Sequence, residues 1–152
     1  SEMCIRDSPE IKTLIFKEKI TNFNIKKILK NFDIIVDGSD NFKTKFLLNE
    51  YSLKYKKILI VGAISKFDGH IFSFNFNKRR TSCLKCFYQT EISDEFLDCE
   101  SEGILGPVAG IVGNIQANEA IKYILDVGKC LNGKVLIINL LNLEFRVCNL
   151  IE

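Results

Sequence analysis

Two cysteines three positions apart, Cys83 and Cys86, and an acid–amide pair, Asp40-Asn41, are the side chains of this sequence best suited to chemistry. The Cys-x-x-Cys spacing can supply half of a tetrahedral zinc site, because two thiolates on one tight turn reach a common ion. A thioredoxin-like redox pair has the same spacing, but it needs a preceding strand and a helix that opens on the first cysteine. Here the polar run Arg79-Arg80-Thr81-Ser82 comes first, which favours metal over redox. Two more ligands are then required, and Cys148 or a second pair just beyond Glu152 could provide them. A third thiol, Cys99, is flanked by Asp98, Glu100 and Glu102. Nearby carboxylates raise a thiol's pKa, so its neighbours alone favour a bystander over an activated thiolate.

Asp40-Asn41 follows the β-branched run Asp33-Ile34-Ile35-Val36-Asp37 and the break Gly38-Ser39. That places it at the carboxyl edge of a buried strand, where open α/β sheets bind ligands. A carboxylate there can hold Mg²⁺ on nucleotide phosphates, and an amide can fix a sugar or phosphate. The competing reading is that Asp40 caps the following helix, and position alone favours the cap. The remaining candidates read as structural. His70, the single histidine, lies in an alternating segment and reads as a strand residue rather than a base, so no Cys-His or Ser-His-Asp system is visible. Gly103, Gly106, Gly110 and Gly113 follow no strand and form no G-x-G-x-x-G, so they read as a hinge and a closely packed helix start. Cys130 reads as a surface or packing residue, and Cys4 falls in the leader described below.

The elements that must position these groups follow from periodicity. Lys12–Phe16 is a short apolar run, Ile20–Leu29 has helical spacing, and 33–37 and 58–62 read as buried parallel strands around a helix over 41–55. Together these predict a βαβαβ layout. Residues 69–76 alternate like an antiparallel strand with one wet face, and 77–105 read as loop. Pro107 marks a helix start, Ile111–Leu125 supplies its stripe, and 135–140 with 145–151 predict a terminal hairpin. The expectation is one α/β domain with a mixed sheet.

Bulk properties narrow the function classes. The 152 residues are 47% hydrophobic and 26% charged with a formal net charge of +2, which calls for neither nucleic acid nor an anionic membrane. Lys78-Arg79-Arg80 reads as a solvated turn. No apolar run approaches the roughly 18 residues that span a bilayer. Six cysteines, unevenly spaced, do not make a secreted disulfide framework, so a reduced cytoplasmic setting is expected. The first ten residues, SEMCIRDSPE, lack periodicity and signal-peptide regions and are expected to be a leader outside the fold.

Taken in order, DIIVDGSDNFKTKFLLNE, ILIVGAISKFDGHIFSF, CLKC, LDCESEGILGPVAGIVGNIQANEAIKYIL and a closing hairpin resemble the ThiF/MoeB/HesA group, bacterial relatives of ubiquitin-activating enzymes. The resemblance covers about residues 11–152 and implies a Rossmann-like mixed sheet that lacks the first βαβ phosphate-binding unit. The chain would then be the C-terminal two-thirds of an adenylyltransferase domain, missing the upstream Gly-rich turn and a second C-x-x-C, and inactive alone. By the same resemblance Asp40 and Asn41 belong to a Mg-ATP site, and Lys45 stands where the group often has arginine. Cys83 and Cys86 are implied zinc ligands, and Cys99 occupies the sulfur- or thioester-carrying position. The implied reaction is ATP-dependent adenylation of the C-terminal glycine of a ubiquitin-like sulfur-carrier protein, for thiamine or molybdopterin sulfur transfer. A homodimer is implied, with a cysteine desulfurase or rhodanese as sulfur donor. The alternative is a non-catalytic carrier-binding module that has lost the nucleotide half.

Overall fold

The computed structural model describes residues 10–78, 82–88 and 103–150. Among them the elements are α1 (Ile25–Leu29), β1 (Ile34–Asp37), α2 (Phe42–Lys54), β2 (Ile58–Ser65), β3 (Asp68–Asn75), α3 (Leu84–Phe87), α4 (Gly106–Leu125), β4 (Lys134–Asn139) and β5 (Glu144–Asn149). The five strands form one mixed sheet in the order β1-β2-β3-β4-β5. Only β1 and β2 are parallel, joined across α2, and the other neighbours are antiparallel.

The sheet's two faces follow from the period-2 alternation of side chains along each strand. Leu59, Val61, Phe72 and Phe74 face α2 with Ile35, Leu48, Tyr51 and Leu84. Ile60, Ile71 and Ile138 face α4 with Val108 and Val112. Both central strands are therefore covered on both faces, β2 as its hydrophobic run requires. β3 is covered against the expectation of one wet face, because α4 covers that side and Ser73, 0% exposed, is hydrogen-bonded to the Tyr123 hydroxyl at 2.9 Å. The result is a three-layer sandwich with the sheet in the middle.

Several expected elements change. Residues 12–16 form no strand, so the βαβαβ expectation reduces to a single parallel β1-α2-β2 unit. A short apolar run with no ladder partner cannot satisfy its backbone groups as a strand. The first helix begins at Ile25 rather than Ile20, because the Asn24 side chain turns backwards. Its Oδ1 accepts from the Thr21 amide at 2.7 Å and its Nδ2 donates to the Lys19 carbonyl at 2.9 Å, which holds 18–21 in a non-helical turn. β2 does not stop at Gly62. It continues to Ser65 and folds back onto β3 through Lys66-Phe67, with Lys66 at φ 44°.

Close approach of α4 explains two glycines. A Cβ on Gly62 would lie 2.6 Å from Gln116 Oε1 and 2.9 Å from Val112 Cγ1, and one on Gly69 would lie 2.5 Å from Val112 Cγ2. Both therefore admit the helix where a side chain would hold it off. Gly62→Ala is expected to destabilise by about 1–3 kcal/mol through overpacking, checked by thermal melting. A melting temperature equal to the parent's would show that α4 can move aside without cost.

Candidate functional site

The strongest polar constellation sits where β1 ends, beside the middle of β2. Asp37, the last residue of β1, is 3% exposed, and Lys45 of α2 is 2% exposed. The Lys45 Nζ donates to Asp37 Oδ2 at 2.9 Å and to the Gly62 carbonyl at 2.6 Å. Asp37 Oδ1 accepts from the Ser39 amide at 3.0 Å, and its backbone carbonyl accepts from Gln116 Nε2 at 2.8 Å. One buried ion pair thus ties β1, β2, α2, α4 and the following loop together. A charge that deep is tolerated because the pair is neutral overall and several of its polar atoms are hydrogen-bonded.

The loop held in this way is Gly38-Ser39-Asp40-Asn41. The structure replaces the expected Asp40 cap by an Asn41 cap: Asn41 Oδ1 accepts from the Thr44 amide at 2.8 Å. The Asn41 Nδ2 donates to Asp40 Oδ1 at 3.1 Å. Asp40 is left exposed at the rim. Its carboxyl is held below the usual carboxylate range by the Asn41 hydrogen bond first, then by its own backbone and, more weakly, by the Lys45 charge. These residues border a cavity of about 310 Å³ walled by Gly38, Ser39, Asp40, Lys45, Gly62 and, from α4, Gln116. A pocket outside the carboxyl ends of parallel strands is where ligands bind in such sheets.

Of the sequence-derived candidates, Asp40 and Lys45 line this cavity, with Lys45 turned towards Asp37, whereas Asn41 is not one of its walls and serves as the helix cap. Cys99 lies outside the described residues. Cys83 and Cys86 lie elsewhere, on α3, with their sulfurs 3.2 Å apart and the Cys83 amide 3.4 Å from Cys86 Sγ. Burial first, and then the neighbouring Cys86 thiol, push the Cys83 thiol up, the opposite of what a redox nucleophile needs. Cys148 is not a third ligand: no group of three metal-binding side chains forms among the described residues. It projects from β5, opposite Val135, and is exposed. The chain end does approach the pair. Leu150 donates to the Gly133 carbonyl at 2.9 Å, and a Cβ on Gly133 would lie 3.7 Å from Ser82 Oγ.

α3 is pinned by Asn49 of α2, 1% exposed, whose Oδ1 accepts from the Leu84 amide at 3.0 Å. Asn49→Leu is expected to cost about 1–3 kcal/mol by orphaning that amide, and to speed alkylation of Cys83 and Cys86 by a thiol reagent. Unchanged labelling rates would show that Asn49 does not hold the turn. His70 is half-buried on β3 against Phe72 and Phe87, and burial lowers its pKa. It is a strand residue, as its alternating context predicted.

Sequence reasoning missed Asp37, Ser39 and Gln116. A signal for Gln116 existed: Val108, Val112 and Gln116 recur every four residues on the buried stripe of α4. Lys45, Asn49 and Ser52, spaced by four and three, likewise put polar side chains on the buried face of α2 beside Phe42, Leu48 and Tyr51, while Leu53 is 50% exposed.

Comparisons with known proteins place this geometry. The ThiF family profile matches residues 5–152. A probable molybdopterin-synthase adenylyltransferase of Pyropia yezoensis is 38% identical over 147 residues, covering 95% of this chain and 38% of that protein. A sulfur carrier protein adenylyltransferase of Thermus thermophilus is 31% identical over 143 residues, 91% of this chain and 53% of the relative. The chain thus spans about two fifths to one half of these relatives. Among solved structures, Escherichia coli MccB crystallised with ATP superposes with a TM-score of 0.79 at 17% identity, over 98% of this chain and 46% of that one, a likeness of fold. No described helix is long and apolar enough to cross a membrane. With a family profile that runs through almost every residue and the same fold in its neighbours, the chain belongs to the ThiF family.

Proposed function

We propose that this chain carries part of the catalytic centre of an ATP-dependent adenylyltransferase that activates the C-terminal glycine of a ubiquitin-like sulfur carrier. The observation that carries the reading is Asp40: an ionised carboxylate, released from capping by Asn41, exposed at the rim of the strand-end cavity. In the proposed step the carrier's terminal carboxylate attacks the α-phosphorus of ATP. A new carboxylate–phosphorus bond forms as the bond to the β-phosphate oxygen breaks, and pyrophosphate leaves with that electron pair. Asp40 would hold Mg²⁺, which would neutralise charge developing on the phosphates. The Asp37–Lys45 pair keeps the Asp40 loop in place, and Gln116 holds α4 as the opposite wall. The relatives' names support a sulfur carrier as substrate, with molybdopterin synthesis the best-represented destination.

Cys83 and Cys86 would hold a structural zinc ion. Their sulfur separation of 3.2 Å is near the roughly 3.8 Å that ligands at 2.3 Å span in a tetrahedral site, so they fit as two of four ligands. Cys99 would be the sulfur- or thioester-carrying thiol.

The test is carrier-dependent ATP–pyrophosphate exchange by the full-length natural protein. Exchange that needs the carrier's terminal glycine supports the reading. Carrier binding without exchange would instead identify a non-catalytic module.

A further inference from the structure

We propose that the Ser39 hydroxyl is a direct contact for the nucleotide, donating a hydrogen bond to a phosphoryl oxygen in the cavity beside Asp40. This deepens the adenylyltransferase reading and rests on it. Among the described residues, only Ser39 Oγ and Ser52 Oγ are buried side-chain polar atoms without a hydrogen-bond partner. A buried donor that meets no acceptor weakens the fold, so each such group calls for an explanation. Ser52 is enclosed in α2 and lines no part of the cavity, whereas Ser39 is on the cavity wall.

The surrounding geometry prepares that hydroxyl for a ligand. Its backbone amide is fixed to Asp37 Oδ1 at 3.0 Å, and Asp37 is itself held by Lys45, so the turn carrying the hydroxyl is set before anything binds. The charges decide between two oxygen-bearing ligands. A bare carboxylate from the carrier would meet the uncompensated Asp40 carboxylate, because the Lys45 charge is already balanced by Asp37. Phosphate oxygens bring a divalent cation with them, and the same Asp40 charge then attracts.

The test compares Ser39→Ala, Ser39→Thr and Ser52→Ala in the full-length protein by pyrophosphate exchange and by melting with and without Mg-ATP. Ser39→Ala is expected to raise the KM for ATP about tenfold, the range of a hydrogen bond to a charged acceptor. Ser39→Thr should restore it, and the KM for the carrier should stay unchanged. Neither alanine variant should melt lower than the parent without nucleotide, and only Ser39→Ala should lose stabilisation by Mg-ATP. An unchanged KM for ATP, an equal effect of Ser52→Ala, or a shift confined to the carrier's KM would overturn the contact. A parent protein that is stabilised by Mg-ATP but shows no exchange would sink the adenylyltransferase reading, while the melting comparison still judges Ser39.

Discussion

Replacing Asp40 by alanine or asparagine will reduce carrier-dependent pyrophosphate exchange by at least about a hundredfold, the scale on which a preorganised electrostatic group at a reacting phosphate acts. The fold should be indifferent to the change. Asp40 is exposed and caps nothing, because Asn41 supplies the cap to Thr44. Melting temperature is therefore expected to match the parent's, which separates this variant from a destabilised one. Asp40→Asn is the sharper probe: it retains an acceptor for Asn41 Nδ2 but removes the charge. The carboxyl is also held below its ordinary range, so Asp40 stays ionised from neutral pH into mild acid. Exchange should then show no acid limb from this group between about pH 5 and 8. Full exchange by Asp40→Asn would remove Asp40 from the catalytic centre.

The second large effect is on stability. Lys45→Met leaves Asp37 as an uncompensated carboxylate that is 3% exposed, and it also strips the Gly62 carbonyl of its donor. Breaking a buried pair from one side costs about 3–5 kcal/mol, which lowers the melting temperature by roughly 10 °C for a chain of this size. The double variant Asp37→Leu/Lys45→Met should recover much of that loss, since an apolar replacement of both partners removes the stranded charge. Asp37 also receives Ser39, so recovery of stability is expected without recovery of exchange. A single Lys45→Met variant that melts within about 2 °C of the parent would show that water reaches Asp37 and that the pair is not structural. The result also bears on what Lys45 is for. Its ammonium faces Asp37 and the Gly62 carbonyl, so its first role is to hold the Asp40 loop.

Fold class was legible because it depends on local patterning. The runs at 33–37 and 58–62 are apolar, residues 69–76 alternate, and 135–140 with 145–151 read as a hairpin; the first three became β1, β2 and β3 and the hairpin became β4 and β5 of one mixed sheet. Lys12–Phe16 shows the limit of that reasoning. An apolar run announces a wish for burial, but whether it becomes a strand depends on a partner edge that sequence spacing does not describe.

For the site, the sequence by itself determined the inventory: an acid–amide pair after a buried strand, a zinc-type cysteine pair and a small-residue helix. Only the tertiary structure decided the roles. It made Asn41 the cap and left Asp40 in solvent, turned Lys45 inward, detached Cys148 from the thiol pair, and brought Gln116 to the carbonyl of Asp37, 79 residues away in the chain. The physical reason is burial. A hydrogen bond between neighbours can be anticipated from residue type, but the partner of a buried polar group is chosen by whatever acceptor or donor packing leaves within 3 Å or so.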